Sequence, residues 1–179
     1  MLPLIPHPDF PALAVTNVEA DAVRSASGRL ELRYVLSGAI SKLLLPGPST
    51  PARADDLWQH TCLEAFVRLP SSGGYYELNF SPSSEWAAYR LDGYRDGMTS
   101  PQLEPPRIEI ASTPERLELR ASIELAELSD EEPWQLGLAA IVEEQDGRKS
   151  YWALAHAPGV PDFHHKDCFA LELAAPDRP

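Results

Sequence analysis

Eighteen prolines scattered through 179 residues constrain the fold of this chain more than any other feature. Proline lacks the backbone N–H that helix interiors and central strands require, and its ring disrupts a helix. Prolines spaced in this way are difficult to reconcile with long helices and favour short elements joined by many loops. The chain is long enough for a hydrophobic core of ordinary size, so we expect one domain over residues 1–179.

Several segments alternate apolar and polar residues with the period of two that is typical of half-buried strands. In residues 29–37 the side chains of Leu30, Leu32, Tyr34 and Leu36 would share one face. Turn sequences such as Asp146-Gly147 separate these segments. The pattern predicts an all-β, antiparallel two-sheet β-sandwich of the immunoglobulin-like or jelly-roll-like kind, with little helix beyond one turn near 125–129. The predicted strands span residues 13–20, 29–37, 40–45, 61–69, 75–81, 86–90, 107–111, 116–125, 134–144, 151–156 and 168–173.

The formal charge of −12 and the sequence pI near 4.7 argue against partners with phosphate backbones. Nucleic acid and anionic membrane surfaces would both be repelled. The first ten residues lack the basic and apolar pattern of a signal peptide, and no stretch approaches the ~18 apolar residues of a membrane span. We therefore expect a cytoplasmic protein whose Cys62 and Cys168 are reduced and buried.

The usual catalytic signatures are missing from the sequence. It contains neither a glycine-rich loop for phosphate nor a G-x-S-x-G nucleophile elbow. The paired acids Asp55-Asp56 and Glu131-Glu132 fall in predicted loops, where adjacent acids are usually caps or solvated charges. The sequence thus predicts a protein that is not an enzyme and needs no cofactor.

Four histidines leave a metal site open as an alternative. Imidazole and carboxylate ligands would suit zinc or another divalent ion. The spacings match no known metal signature, so histidines that donate hydrogen bonds or contact a ligand are the favoured interpretation. The residues that would have to converge are His60, His156, His164 and His165, with Asp162 and Asp167 beside them.

Three blocks of sequence carry a likeness to a known family. The first is 55–67 (DDLWQHTCLEAFV) followed by 76–82 (YELNFSP), and the second is 117–138 (LELRASIELAELSDEEPWQLGL). The third is 151–156 (YWALAH) with 161–165 (PDFHH) and Phe169. In their order and spacing these blocks resemble the DOMON superfamily, which includes the family 9 carbohydrate-binding modules. The segments around 57–62 and 163–165 are similar to its stand-alone bacterial branch, and the likeness covers roughly residues 13–173.

The resemblance implies a β-sandwich that holds a sugar, or in other members haem, at one end or face of its sheets. We therefore expect a non-catalytic domain that binds a carbohydrate or a similar polyhydroxylated small molecule. Such a site needs flat aromatic faces and polar side chains. Glu64, Asn79, Trp152 and His156 would share a non-core face, roofed by loop residues. The complete set of expected ligand-binding residues is Trp58, His60, Glu64, Asn79, Arg90, Arg95, Trp152, His156 and His164.

Two other functions remain open at this point. The chain could be a partner-binding or structural sandwich that takes no small molecule, with its tryptophans serving as core or rim packing. A haem site would require Met98, the only internal methionine, together with His156 or His164 as axial ligands.

Overall fold

The computed structural model describes residues 1–128 and 131–176, and within these ranges the chain folds into two antiparallel sheets packed face to face. The predicted all-β sandwich is confirmed. Strands β1 to β12 span Leu2–Pro3, Ile5–Pro6, Val15–Arg24, Arg29–Gly38, Cys62–Arg68, Tyr75–Phe80, Trp86–Leu91, Arg107–Ser112, Arg116–Glu124, Trp134–Glu143, Lys149–Ala153 and Leu171–Leu173.

The two sheets differ in size and strand order. The five-stranded sheet has the order β1-β3-β4-β9-β8. The seven-stranded sheet has the order β2-β11-β10-β5-β6-β7, and β12 also pairs with β10. Hairpins join β5 to β6 and β10 to β11, as the turn sequences predict. In the seven-stranded sheet β10, β5, β6 and β7 lie side by side, with β7 at the edge.

The main core lies between the sheets and follows the alternation in the sequence. On β4, Leu30, Leu32, Tyr34 and Leu36 are all buried against the facing sheet. The hydroxyl of Tyr34 crosses the core and donates to the backbone carbonyl of Glu64 at 2.7 Å. This hydrogen bond ties the first sheet to β5 and fixes the strand that carries Glu64.

A second apolar cluster covers the opposite, outer face of the seven-stranded sheet. The ring of Phe66 lies 5.1 Å from that of His164 and 6.4 Å from those of Phe163 and Phe169. A Cβ on Gly137 would lie 2.9 Å from the carbonyl oxygen of Cys168, so the absence of a side chain there lets the loop contact β10 directly. Satellite clusters of this kind anchor long loops. The 161–169 segment is therefore held on the outer face.

Some predicted elements are wrong. Residues Ile40–Lys42 form a turn of 3-10 helix rather than part of a strand, because the N–H of Lys42 donates back to the carbonyl of Ala39. The predicted strand at 151–156 ends at Ala153, and the last strand begins at Leu171. Residues 126–128 form a non-helical turn, and Ser129 lies outside the described residues.

The proline-rich start contains two short strands that sequence reasoning missed. β1 pairs with β3 of one sheet, and β2 pairs with β11 of the other. Proline is tolerated in such positions because an edge strand is paired on one side only.

Both cysteines are free and buried, as predicted. Among the described residues, no helix is long and apolar enough to cross a membrane.

Candidate functional site

A cavity of about 790 Å³ opens on the outer face of the seven-stranded sheet. Its base is formed by side chains that β5, β6, β7 and β10 point away from the main core. Its walls come from three loop segments, namely 55–58, 95–100 and 161–164, with Phe10 beside them. Binding sites in proteins are typically clefts of this size, with apolar walls and a few placed polar groups.

Two glutamates lie at the base of the cavity. Glu64 on β5 pairs with Asn79 on β6, and Glu77 on β6 pairs with Phe66 on β5. Since side chains alternate along a strand, Glu64, Glu77 and Asn79 all point to the outer face. Glu64 is only 3% exposed and Glu77 is also buried, although both contribute to the cavity lining.

The two carboxyl groups have unusual surroundings for acids. Burial raises the pKa of Glu64 well above its ordinary range, and the nearby charge of Glu77 raises it further. Oε1 of Glu64 has no hydrogen-bond partner. Burial also raises the pKa of Glu77, although its Oε1 accepts a hydrogen bond from Nδ2 of Asn79 at 2.9 Å. Such a site favours a ligand that can satisfy a desolvated carboxyl group.

His164 stands beside this pair in its neutral form. Burial, and then the charge of Arg95, lower the pKa of His164 to about 4. The hydroxyl of Tyr75 accepts from the backbone N–H of Arg95 at 3.2 Å, and it lies 2.7 Å from Nδ1 of His164. We therefore assign the hydroxyl proton to this second contact, which leaves the imidazole proton on Nε2. Nε2 lies 3.8 Å from Oε2 of Glu77, so its N–H is available near the base of the cavity.

Asp162 organises the loops around the mouth. It accepts hydrogen bonds from the hydroxyl of Tyr94 at 2.7 Å and from the guanidinium of Arg95 at 2.8 Å. Burial alone would raise the pKa of Asp162, but these hydrogen bonds outweigh it and lower the pKa. Arg95 has a φ of 52°, and Asp56 on the opposite wall has a φ of 61°. Backbone strain of this kind is concentrated at functional sites in proteins.

Aromatic side chains supply much of the wall. Trp58 is 51% exposed at the mouth of the cavity. Tyr151 on β11 packs edge-on against Phe10 with a ring separation of 5.0 Å. Tyr89 on β7 donates its hydroxyl proton to Asp55 at 2.7 Å, and Phe163 completes the set. An exposed tryptophan over buried acids gives the cavity both a flat apolar surface and polar groups.

Four of the nine sequence-predicted site residues line this cavity: Trp58, Glu64, Arg95 and His164. Asn79 lies directly behind it and holds Glu77. These five residues come from three separate parts of the chain, and the fold brings them together. Whether each contacts a ligand remains a prediction.

The other four lie elsewhere. Trp152 is 4% exposed and belongs to the main core, because the register aligns it with Ala140 and, beyond it, Leu63. The expectation that Trp152 shares a face with Glu64 is therefore wrong. Its neighbour Tyr151 occupies that face instead.

His156, His60 and Arg90 are also outside the cavity lining. His156 follows the end of β11, so the expectation that it points with Glu64 from a strand is wrong, and its Nε2 lies 2.7 Å from the carbonyl oxygen of Ile5. His60 is exposed and its Nδ1 lies 2.7 Å from Oε2 of Glu143. Arg90 lies with its guanidinium 5.5 Å from the ring centre of Tyr76.

Sequence reasoning did not select several residues of the cavity. Glu77 could have been found, since it alternates in phase with Asn79 on the same strand. Tyr151 and Tyr89 are harder to find, because both faces of their strands carry apolar residues. No local sequence pattern indicates that Phe10, which is near the N-terminus, lies beside the cavity.

The histidines that the alternative of a metal site would require to converge do not form a metal-binding group. Within residues 1–128 and 131–176 there is no cluster of three or more His, Cys, Asp or Glu side chains suited to a metal ion. Met98 and His164 both line the cavity, whereas His156 does not. His164 is nevertheless a poor axial ligand for haem, because its Nδ1 is engaged by Tyr75 and its Nε2 faces Glu77.

Comparisons with known proteins give structural likeness only. No family model matches the chain, and no curated protein matches it significantly. A Bacteroides uniformis protein provisionally assigned as carbohydrate-binding superposes with a TM-score of 0.65 at 16% identity, covering 93% of this chain and 82% of that one. A family 9 carbohydrate-binding module from Caldicellulosiruptor kristjanssonii, in complex with glucose, gives a TM-score of 0.55 at 13% identity, covering 95% and 82%. At these identities the likeness shows a shared fold.

Proposed function

We propose that this chain is a non-catalytic domain that binds a carbohydrate or a similar polyhydroxylated small molecule in the cavity on the outer face of the seven-stranded sheet. The observation that carries the proposal is the position of Glu64. A buried carboxyl group with an unpartnered oxygen lies at the base of a cavity whose mouth holds the exposed Trp58.

The chemistry of the cavity suits a sugar. The C–H face of a pyranose ring packs well on a flat aromatic surface, which Trp58 offers at the mouth. Hydroxyl groups both donate and accept, so they can donate to a carboxylate and accept from the Nε2–H of His164 or from Arg95. Glu64, whose Oε1 is otherwise unsatisfied, would gain a donor in the complex.

The comparisons support the proposal in part. The two similar structures include a module solved with glucose and a protein assigned to carbohydrate binding. We also propose that the chain is a DOMON-like domain similar to the family 9 modules. This more specific assignment rests on the three blocks of sequence.

Hydrolysis of the sugar is the function that a pair of glutamates would otherwise suggest. A glycosidase needs one protonated acid and one ionised carboxylate at the scissile bond. Here burial raises the pKa of both Glu64 and Glu77, and this effect outweighs the nearby charge of Arg95, which lowers the pKa of each. An environment that disfavours the ionised form of both acids supports binding rather than hydrolysis.

The test is a binding screen by isothermal titration calorimetry with neutral mono- and disaccharides. We expect at least one to bind, and Trp58→Ala to weaken that binding about tenfold or more, since aromatic stacking and its buried area are lost. Val23→Ala serves as the matched control, because Val23 is equally exposed on the five-stranded sheet and far from the cavity.

Two results would overturn the proposal. One is the absence of binding by every sugar in the screen at millimolar concentration. The other is a bound sugar whose affinity is the same for the native chain and for Trp58→Ala. Release of reducing sugar from a disaccharide would refute the non-catalytic part alone.

A further inference from the structure

The acids of the cavity outnumber the cations that could balance them. Asp55, Asp56, Glu64 and Glu77 all line it. Among the described residues, no lysine or arginine forms an ion pair with any of these four. A neutral ligand would leave this imbalance unchanged.

The basic residue of the lining does not correct the imbalance. The guanidinium of Arg95 donates to Asp162 at 2.8 Å, and Asp162 is held in its ionised form by that contact and by Tyr94. His164 is neutral at ordinary pH. The positive charge of Arg95 is thus shared with an acid outside the set of four. It lowers the pKa of Glu64 and Glu77 only in part, since burial still raises the pKa of both.

A second observation, independent of the count of acids, points to a ligand. Glu64 is more than nine-tenths buried and contributes to the cavity lining. Its carboxyl group has a weak donor in the thiol of Cys62, but its Oε1 has no hydrogen-bond partner. A buried group left in this state is costly unless a partner arrives. Burial raises the pKa of Glu64, and a charged N–H donor is the partner that best compensates the ionised form of such a buried carboxyl group.

The walls favour a cationic group for a separate reason. Aromatic rings attract cations placed over their faces, most strongly for tryptophan, and the attraction grows when water is excluded. The aromatic residues that line the cavity together with the acids are Trp58, Tyr89, Tyr151 and Phe163. The net charge of −12 also steers cations toward the protein.

We infer that the ligand carries a protonated amine, so that the polyhydroxylated molecule is an amino sugar or a comparable amino-polyol whose ammonium group reaches Glu64 and Glu77. This inference rests on the proposed function and narrows it. The hydroxyls of the ligand would contact Arg95 and His164, while its ammonium group satisfies the acids at the base.

The experiment compares matched pairs of sugars that differ by one group. Glucosamine, galactosamine and mannosamine are titrated beside glucose, galactose and mannose at about pH 6.5, below the pKa of an ordinary amine. We expect at least one amino sugar to bind about tenfold or more tightly than its neutral partner, because a charge-assisted hydrogen bond replaces a neutral one. N-acetylation of that sugar removes the charge and should abolish the preference.

A variant isolates the acid responsible. Glu64→Gln keeps the size of the side chain and removes its charge, so the ratio of the two affinities, amino sugar against neutral partner, should fall toward one. Glu77→Gln should reduce the preference in the same direction. Glu31→Gln, on the outer face of the five-stranded sheet, is the matched control and should leave the preference intact.

The possible failures can be told apart. If a neutral sugar binds as tightly as its amino partner, the amine inference is overturned and the proposed function stands. If Glu64→Gln and Glu77→Gln both keep the full preference, the amine is recognised elsewhere and the assignment to these acids is wrong. If none of the six sugars binds, the inference falls, and the proposed function falls with it when the disaccharides of the binding screen also fail to bind.

Discussion

Glu118 on the five-stranded sheet and Glu64 on the seven-stranded sheet occupy similar places, each on a strand and pointing to an outer face of the sandwich. Three arginines surround Glu118, with nitrogen–oxygen distances of 2.8 Å to Arg33, 2.7 Å to Arg116 and 2.8 Å to Arg120. Hydrogen bonds from these arginines, led by Arg33, lower its pKa to about 2. Burial raises the pKa of Glu64 instead.

The contrast separates a structural face from a candidate binding face. Acids on the five-stranded sheet are paired across neighbouring strands, as in the contact between Arg29 and Glu124. The charged groups of such a face are already paired, so it offers a ligand few free hydrogen-bonding groups. On the seven-stranded sheet, loops cover the strands and exclude water, so the acids there remain in need of partners.

The largest expected change in the free energy of unfolding comes from a comparison of one tryptophan in the main core with one at the cavity. Trp152→Ala removes a ring packed between the sheets and should lower the free energy of unfolding by about 3–5 kcal/mol. Trp58→Ala removes an exposed ring and should change it by less than about 1 kcal/mol. Urea denaturation measures both values. Equal losses would mean that Trp58 stabilises the fold and is not free to serve a ligand.

A medium effect is expected at Glu64. Burial raises the pKa of Glu64 in the folded state. The contribution of Glu64 to stability is therefore complete below the unfolded-state pKa of about 4.3 and is lost as the pH rises through the folded-state pKa. Glu64→Gln removes this loss and should raise the free energy of unfolding at about pH 8.

Urea denaturation of the native chain and of Glu64→Gln at about pH 4 and about pH 8 measures this change. The gain in the free energy of unfolding should be larger at the higher pH. Glu31→Gln is the control, since Glu31 is exposed on β4 and accepts a hydrogen bond from the hydroxyl of Ser122. A gain of the same size at both pH values would refute the assigned role of ionisation.

The smallest effect is expected at Glu118 and has the opposite sign. Its lowered pKa contributes stability above the unfolded-state value, and this stability is lost as the pH falls toward about 2. Glu118→Gln should lower the free energy of unfolding by less than about 1 kcal/mol near neutral pH, because the pairs are partly solvated. The loss should shrink in about 1 M salt, which screens surface charges. A loss that salt does not reduce would contradict this account.

Much of the fold was predictable because most strands alternate clearly. Residues 29–37 and 116–125 have one apolar and one polar face, so their strands and their orientation follow from local chemistry. Glu64 and Asn79 were placed correctly on one non-core face by the same reasoning. Strands at the start were missed, since two residues paired at an edge leave no periodic pattern.

The site was less predictable because it depends on loops. Arg95, Asp162 and His164 meet through hydrogen bonds between segments almost 70 residues apart, and no spacing in the sequence encodes these contacts. Asp56 and Arg95 adopt left-handed backbone conformations that local preference does not indicate.

The sequence by itself determined that the chain forms short alternating strands, that these pair into two sheets, and that Glu64 shares a face with Asn79. Only the tertiary structure decided that Tyr151, and not Trp152, joins them. Alternation fixes which side chains of one strand lie together, but where both faces of a strand are apolar it cannot tell which face meets the core. That choice depends on the register with β10, on the second sheet that buries Trp152, and on the loops that close over Tyr151.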